Sequence, residues 1–144
     1  MVKIEKTITI NATVEKVFGY LDEPMNQLEI WPSLVEVKDV QRLPNGIGST
    51  FRWVYKMAGM RFEGTSEVTE YIPNQRMVTK TKGGIESTHI TTFQPEAGGT
   101  KVTTEVEYTV PIPLLGKLVE AFIVKQNEHE AELFLANLKA RMEL

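Results

Sequence analysis

The chain has 144 residues, no cysteine and a formal net charge of -3. Without cysteine it has no disulfide, no thiolate nucleophile and no cysteine-based metal site, and its two histidines offer no metal-ligand spacing. The net charge provides no basic surface for nucleic acid, and no apolar run approaches the roughly 20 residues that cross a bilayer. We therefore expect a single cytoplasmic domain over residues 1–144, with no metal, no cofactor, no nucleic-acid partner and no stable membrane insertion.

The start of the chain predicts a strand followed by two short helices. Apolar and polar residues alternate over 2–10, which is typical of a half-buried strand. Thr13 is a good helix cap, and after it the apolar residues recur at helical spacing: Val14, Val17, Phe18 and Leu21. Pro24 ends this helix, and a second short helix, Met25 to Ile30, is expected to end before Pro32.

The middle of the chain predicts a meander of six strands. Turn signals such as Asn45-Gly46 and Gly98-Gly99 arrive at near-regular intervals, and the segments between them alternate. The predicted strands are Val35–Arg42, Ser49–Met57, Met60–Tyr71, Met77–Thr81, Ile85–Phe93 and Lys101–Val110. Short connections make successive strands antiparallel neighbours, and the alternation gives the sheet one apolar face and one charged face. For the strand Met77–Thr81 the sequence does not decide which side chains face inward, because either Met77 or Val78 could begin the buried set.

The last segment predicts one long amphipathic helix that begins near Leu114. Its apolar residues at three- and four-residue steps are Leu115, Leu118, Val119, Phe122, Leu133, Ala136 and Ala140. Gln126 and His129 also fall on this face, with Glu130 and Asn137 nearer its edge. Three explanations stay open for these polar side chains: they lie at a solvent-exposed edge of the face, they line a cavity, or they contact a partner protein. A helix of roughly 45 Å needs a long partner surface, so we expect a curved sheet closed around it.

One predicted strand departs from the apolar inner pattern. If Phe93 faces inward, so do Thr91, His89 and Ser87. With Ser66 and Thr104 they form a polar patch among the aromatic residues Trp53, Tyr55, Phe62 and Tyr108. Aromatic walls with a few convergent polar groups are typical of a small-molecule pocket. The alternative is ordinary strand chemistry, with locally bonded hydroxyls and a histidine satisfied in the core.

The predicted order of elements resembles the helix-grip fold of the START-like, or SRPBCC, superfamily, and the resemblance covers essentially the whole chain. The segments that carry it are Ile10-Asn-Ala-Thr-Val-Glu-Lys-Val-Phe18, Trp31-Pro32, Glu67-Val-Thr-Glu-Tyr-Ile-Pro73, Thr92-Phe-Gln-Pro95 with Gly99-Thr100-Lys-Val-Thr103, and Leu138-Lys-Ala-Arg141. Together they are similar to the polyketide cyclase/dehydrase and lipid-transport branch. The resemblance implies an α+β fold, in which a curved seven-stranded antiparallel sheet surrounds a long C-terminal helix, with a deep cavity for hydrophobic ligands.

The leading functional hypothesis is a protein that binds a small hydrophobic or aromatic molecule, such as a lipid, a polyketide or a related metabolite. The predicted ligand-binding residues are Trp53, Tyr55, Phe62, Tyr108, Leu118 and Phe122 for packing, and Ser66, Ser87, His89, Thr91 and Gln126 for orientation. The loop Pro111–Gly116 either gates the entrance or packs the start of the helix.

Two other functions stay open. The first is a cyclase or dehydratase, because the resemblance implies ionisable groups in the cavity of enzymatic members. In it, His89 is the general acid or base and Glu130 orients it. The second is a regulatory module that binds a protein partner through the charged sheet face or the mouth at the helix. That face is also explained as an ordinary solvated surface.

Overall fold

A computed structural model of the protein describes residues 2–57, 59–109 and 117–144. Its seven strands form one curved antiparallel sheet against a long C-terminal helix, which is the helix-grip fold. The elements are β1 Val2–Ile10, α1 Val14–Leu21, a 3₁₀ helix Pro24–Glu29, β2 Leu34–Gln41, β3 Thr50–Met57, β4 Met60–Ile72, β5 Arg76–Gly83, β6 Ser87–Glu96, β7 Gly99–Tyr108 and α2 Lys117–Met142. The predicted fold class is confirmed.

The sheet is a meander closed at one edge by the first strand. Strands β2 to β7 lie side by side in chain order, and β1 pairs with β7 in the order β1-β7-β6-β5-β4-β3-β2. The register of β1 with β7 runs from Val2 opposite Tyr108 to Ile10 opposite Thr100. The six strands of the meander match their predictions with ends displaced by up to three residues. The turn at Gly98 has a positive φ of 81°, which glycine adopts without strain.

Two capping interactions start the short helices that follow β1. The Thr13 hydroxyl accepts a hydrogen bond from the Lys16 amide at 3.2 Å, which satisfies one free donor of the first turn of α1. The Glu23 carboxylate accepts from the Met25 amide at 3.2 Å, and Pro24 occupies the first position of the 3₁₀ helix. The second predicted short helix therefore begins one residue earlier than expected.

The most tightly packed part of the core lies where α1 and the second half of α2 meet β1, β6 and β7. The Phe18 ring packs edge-on against Phe93, with ring centroids 5.2 Å apart. Around this pair lie further buried apolar residues: Ile10, Val14, Val17, Leu21, Ile30, Val102, Phe134, Leu135, Leu138 and Met142. This cluster holds the two helices onto the sheet and sets the rotation of α2 about its axis.

The predicted buried face of α2 is wrong. Leu118 is 89% exposed and Phe122 60% exposed, and Ala136 and Ala140 are also exposed. The residues that face the sheet are Ile123, Glu130, Ala131, Phe134, Leu135, Leu138 and Met142. The error has a physical cause: Ala121, Ile123 and Val124 surround the helix axis with apolar groups, so periodicity there does not select a face. Leu115 and the side chain of Val119 lie outside the described part of the chain.

The polar residues predicted on that face divide into two groups. His129 lies at the solvent-exposed edge, the first of the three alternatives, because its side chain is 68% exposed. Glu130 is buried, and the Asn137 amide donates a hydrogen bond to the Ile30 carbonyl at 3.1 Å. The Gln126 side chain is half-buried. Neither α2 nor any other helix among the described residues combines the length and hydropathy of a membrane crossing.

Candidate functional site

A cavity of about 160 Å³ lies between α2 and the inner face of the sheet. Its aromatic wall includes Trp31, whose ring stacks on Phe134 with centroids 4.2 Å apart. The remaining aromatic lining residues are Phe51, Trp53, Tyr55, Phe93 and Tyr108. Short neutral polar side chains line the sheet side: Ser66, Thr79, Thr81, Ser87, Thr91 and Thr104. The cavity is therefore an apolar space with a neutral polar floor.

The strand register aligns the hydroxyl groups of this floor across the sheet. Ser87 lies opposite both Tyr108 and Thr81, and Thr81 lies opposite Ser66. The Thr81 and Ser87 hydroxyl oxygens are 2.5 Å apart, and the Thr81 hydroxyl donates a hydrogen bond to the Ile85 carbonyl oxygen at 2.9 Å. Hydrogen bonds between neighbouring side chains thus satisfy part of the polar floor without water or a ligand.

His89 lies in the cavity wall, half-buried as a residue, and is neutral at physiological pH. Burial lowers the pKa of its imidazole from 6.5 to about 4. Its Nε2 lies 3.1 Å from the Ser87 hydroxyl, and its ring packs edge-on against Trp31. Among the described residues it has no hydrogen bond or ion pair with a carboxylate, so the predicted pairing of His89 with Glu130 is not formed. The same ranges contain no cluster of three or more metal-ligating side chains.

Glu130 ties α2 to the loop before β2. Its carboxylate is 6% exposed and accepts hydrogen bonds from the Ser33 amide at 2.7 Å and the Ser33 hydroxyl at 3.1 Å. Tyr55 lies beside it. The pKa of Tyr55 is raised, first by burial and then by the charge of Glu130, so its hydroxyl stays protonated. The carboxylate therefore has donors around it in the described structure and no cationic partner.

Two cavity-lining side chains hold buried polar atoms that have no hydrogen-bond partner within residues 2–57, 59–109 and 117–144. These atoms are the Trp53 indole Nε1 and the Tyr108 hydroxyl. Burial raises the pKa of Tyr108, and the Asn127 side chain, which lies close enough to the hydroxyl to lower that pKa, does not reach full hydrogen-bond geometry. Outside the lining, the Gln126 carbonyl oxygen is buried in the same unpartnered state. A buried donor or acceptor without a partner costs about 1–3 kcal/mol, so each of these groups needs an explanation.

The position of the Trp53 indole depends on Gly64, its neighbour across the β3–β4 ladder. A Cβ atom at residue 64 would lie 2.4 Å from Trp53 Cζ2 and 2.2 Å from the Lys82 carbonyl oxygen. Only glycine leaves room for this arrangement, in which the indole lies over the backbone of β4.

Most of the residues predicted for the site lie on the cavity wall. The lining includes Trp53, Tyr55, Ser66, Ser87, His89, Thr91 and Tyr108. Leu118 and Phe122 do not line it, because α2 is rotated so that both face away from the sheet. Phe62 packs beside the lining residues, and Gln126 lies outside the lining. The predicted gating loop, Pro111–Gly116, lies outside the described residues.

Several lining residues were not predicted: Trp31, Met77, Thr79, Thr81, Asn127 and Phe134. The β5 residues among them follow from alternation once Met77 is known to face inward. The register supplies that information, because Met77 lies opposite Thr91, which lines the same cavity. For Trp31, in the loop before β2, the sequence contains no periodic signal.

A second cleft of about 390 Å³ adjoins the cavity beside the loop between β2 and β3. Five side chains line both spaces and form the boundary between them: Leu21, Gln27, Phe51, Met77 and Thr79. At the rim, Arg42 pairs with Asp22 at 3.1 Å and with Glu23 at 3.2 Å, and the Tyr71 hydroxyl donates to Asp22 at 2.9 Å. These contacts hold the β2–β3 loop against the end of α1.

Comparison with known proteins assigns the chain to a family. The sequence profile described as "Polyketide cyclase / dehydrase and lipid transport" matches residues 1–143. The chain belongs to this family. The resemblance drawn from the sequence is therefore confirmed at the level of the family and the fold.

Solved structures with the same fold include three relatives of low sequence identity. The crystal structure of TTHA0849 from Thermus thermophilus is 21% identical, with a TM-score of 0.85 over 98% of this chain and 97% of that one. A START superfamily protein from Mycobacterium smegmatis is 16% identical, with a TM-score of 0.81 over 98% and 97% of the two chains. The di-domain ARO/CYC StfQ from the steffimycin biosynthetic pathway is 20% identical, with a TM-score of 0.79 over 99% of this chain and 50% of that one.

Proposed function

We propose that this protein binds a small apolar or aromatic molecule, a lipid, a polyketide or a related metabolite, in the cavity between α2 and the sheet. The observation that carries the proposal is a partly open cavity with aromatic walls and a neutral polar floor. In the proposed complex Trp53, Tyr55 and Tyr108 pack against the ligand, and Ser66, Ser87, His89 and Thr91 orient it. Burial of the ligand gains about 25 cal/mol per Å² of apolar surface.

The size of the cavity bears on the size of its occupant. A volume of about 160 Å³ is close to the ~150 Å³ of an engineered protein cavity that holds benzene. Ligand pockets for drug-sized molecules span about 300–1,000 Å³. The cavity by itself therefore suits an occupant of about one ring, and a larger one extends into the adjoining cleft or moves the side chains between the two spaces. The family description, which names polyketides and lipids, supports the chemical class.

The geometry favours binding over catalysis. A general base works best when its pKa lies near the working pH and a second group orients it. His89 has a pKa of about 4, and its hydrogen-bond partner is Ser87. The Glu130 carboxylate, which would have oriented it, is bound to Ser33. A cyclase or dehydratase that uses His89 and Glu130 therefore has no support in this arrangement.

The test fills the cavity without changing the outside of the sheet. Thr79 lines the cavity, whereas Lys80, the next residue of β5, is exposed on the other face. Thr79→Phe places a ring in the cavity, and Lys80→Phe is the matched control. Affinity for ethylbenzene, measured by NMR titration of amide shifts, is expected to fall at least tenfold in Thr79→Phe and to stay within twofold of the wild type in Lys80→Phe. Equal affinities in the two folded variants, or no binding by the wild type, would overturn the proposal.

A further inference from the structure

The outward side of α2 carries a regular stripe of side chains that neither the core nor the proposed binding site uses. We call it the outer stripe. Its members recur at three- and four-residue steps, and all of them are exposed: Leu118, Phe122, Lys125, His129, Glu132, Ala136 and Ala140. Leu118 is 89% exposed and Phe122 60% exposed, and they lie one turn apart. An apolar patch with a charged rim is typical of an interaction surface.

The apolar members of the outer stripe differ in size between its two ends. Leu118 and Phe122 are large and lie near the N-terminal end of α2, whereas Ala136 and Ala140 lie near its C-terminal end. Packed helices fit well where large side chains of one face small side chains of the other. Two copies of α2 in antiparallel orientation bring the large end of each against the small end of its neighbour. A parallel pair opposes large with large and small with small.

The charged members of the outer stripe select the same orientation. Lys125 lies seven residues before Glu132 and makes no salt bridge within the described part of the chain. Glu128 and Glu132 share Lys6, at 3.4 Å and 3.1 Å, so this group keeps a net negative charge. An antiparallel pair with its two-fold axis between Glu128 and His129 places Lys125 of each copy opposite Glu132 of the other. A parallel pair places Lys125 opposite Lys125.

We propose that the outer stripe is an interface between two copies of this chain, with α2 packed against α2 in antiparallel orientation. From Leu118 to Ala140 the stripe is roughly 33 Å long, at 1.5 Å per residue. A single helix about 10 Å wide gives a contact at the low end of protein interfaces, below about 1,200 Å² in total. The dimer is therefore weak, and the protein is monomeric in dilute solution. The sheet side of α2 and the cavity are not part of the interface, so this proposal is independent of the proposed function.

The experiment reverses the two charges one at a time. In Lys125→Glu both contacts join two carboxylates, and in Glu132→Lys both join two ammonium groups, so each variant alone should dimerise at least tenfold more weakly than the wild type. An equimolar mixture of the two variants has opposite charges at both contacts and should form a heterodimer with about the wild-type affinity. Sedimentation velocity measures the dissociation constants, and circular dichroism checks that each variant is folded.

The matched control is Lys80→Glu, which makes the same change of charge at an exposed position on the outside of the sheet and should dimerise as the wild type does. A wild type that is monomeric at every concentration up to about 1 mM would overturn the proposal. A wild-type dimer that neither reversal weakens, or a mixture that does not recover, would do the same. Binding of a monomeric wild type to phosphatidylcholine vesicles, lost in Phe122→Ser, would assign the stripe to a membrane surface and overturn the dimer.

Discussion

Two regions of the same inner sheet face differ in how they meet α2. In one, Phe93 and Val102 pack against Phe134 and Leu138 with little exposure to solvent. In the other, the same strands present hydroxyl groups and an imidazole to a cavity of about 160 Å³. Beyond it, Ile123 and Ala131 of α2 belong to a second buried cluster with Val106 and Tyr108, so one helix and one sheet supply packed core and a cavity side by side.

Side-chain size along β6 and β7 explains the difference. Moving along β6 from Phe93, the inward residues are Thr91, His89 and Ser87, so the large apolar group gives way to smaller polar ones. On β7 the next residue on the same inner face after the buried Val102 is Thr104. A tightly packed core leaves few voids larger than a water molecule, so a void lined by aligned hydroxyls is unlike ordinary packing. We infer that the packed region supplies stability and that the cavity is available for binding.

The largest effect expected from this comparison is in the packed region. Leu138 is fully buried, so Leu138→Ala should lower the free energy of unfolding by about 2–5 kcal/mol, the usual cost of a core leucine with its cavity. The matched control is Leu118→Ala on the same helix, where the side chain is 89% exposed and a change within about 0.5 kcal/mol is expected. Urea unfolding measures both. Similar losses at the two positions would contradict the observed rotation of α2.

A smaller effect is expected under the cavity wall. In Gly64→Ala the new methyl group collides with Trp53 and the Lys82 carbonyl, so the free energy of unfolding should fall by about 1–3 kcal/mol. The control is Gly19→Ala in α1, where a Cβ atom meets nothing within 4 Å. There the same substitution should raise stability by about 0.5–1 kcal/mol, because alanine favours the helix. Chemical unfolding measures both changes in unfolding free energy. A decrease in Gly64→Ala together with an increase in Gly19→Ala would support the packing of the Trp53 indole on β4.

Loss of the hydrogen bond between the Ser33 hydroxyl and Glu130, which joins the loop before β2 to α2, should lower the free energy of unfolding by less. Removal of the Ser33 hydroxyl in Ser33→Ala takes one hydrogen bond from Glu130, so a loss of about 0.5–1.5 kcal/mol in unfolding free energy is expected. A double-mutant cycle with Glu130→Gln is the control, because the two changes act on one contact and should not add. Fully additive losses of unfolding free energy in the double variant would show that the Ser33 hydroxyl does not act through Glu130.

The last effect concerns the pH dependence at the cavity. Burial lowers the pKa of His89 from 6.5 to about 4, so between these values the unfolded chain binds a proton that the folded protein does not. Stability is therefore retained above pH 6.5 and lost as pH falls toward 4. In His89→Gln the loss of unfolding free energy between pH 7 and pH 5 should be smaller than in the wild type. His129→Gln, which removes the exposed histidine, is the control. If His89→Gln lost as much unfolding free energy between pH 7 and pH 5 as the wild type, the neutral state of His89 in the folded protein would be contradicted.

The sheet could be predicted from the sequence because each strand carries its own alternation and each turn its own signal. Local rules place Trp53, Ser66 and His89 on the inner face without knowledge of their partners. The rotation of α2 could not be predicted in this way. Apolar groups surround its first half, and the contacts of Phe134 and Leu138 with distant strands decide which side is buried. The contact of Glu130 with Ser33 joins residues 97 positions apart through a loop without periodicity, so it also depends on tertiary structure.

The most direct test of the central claim, that the space under α2 accepts an apolar ring, is the position of a bromine atom. Crystals grown with bromobenzene should give an anomalous difference peak inside the cavity, between Phe134 on the helix and Thr79 and His89 on the sheet. A peak found only on the outer side of α2 near Leu118 and Phe122, or an empty cavity at saturating bromobenzene, would contradict the account.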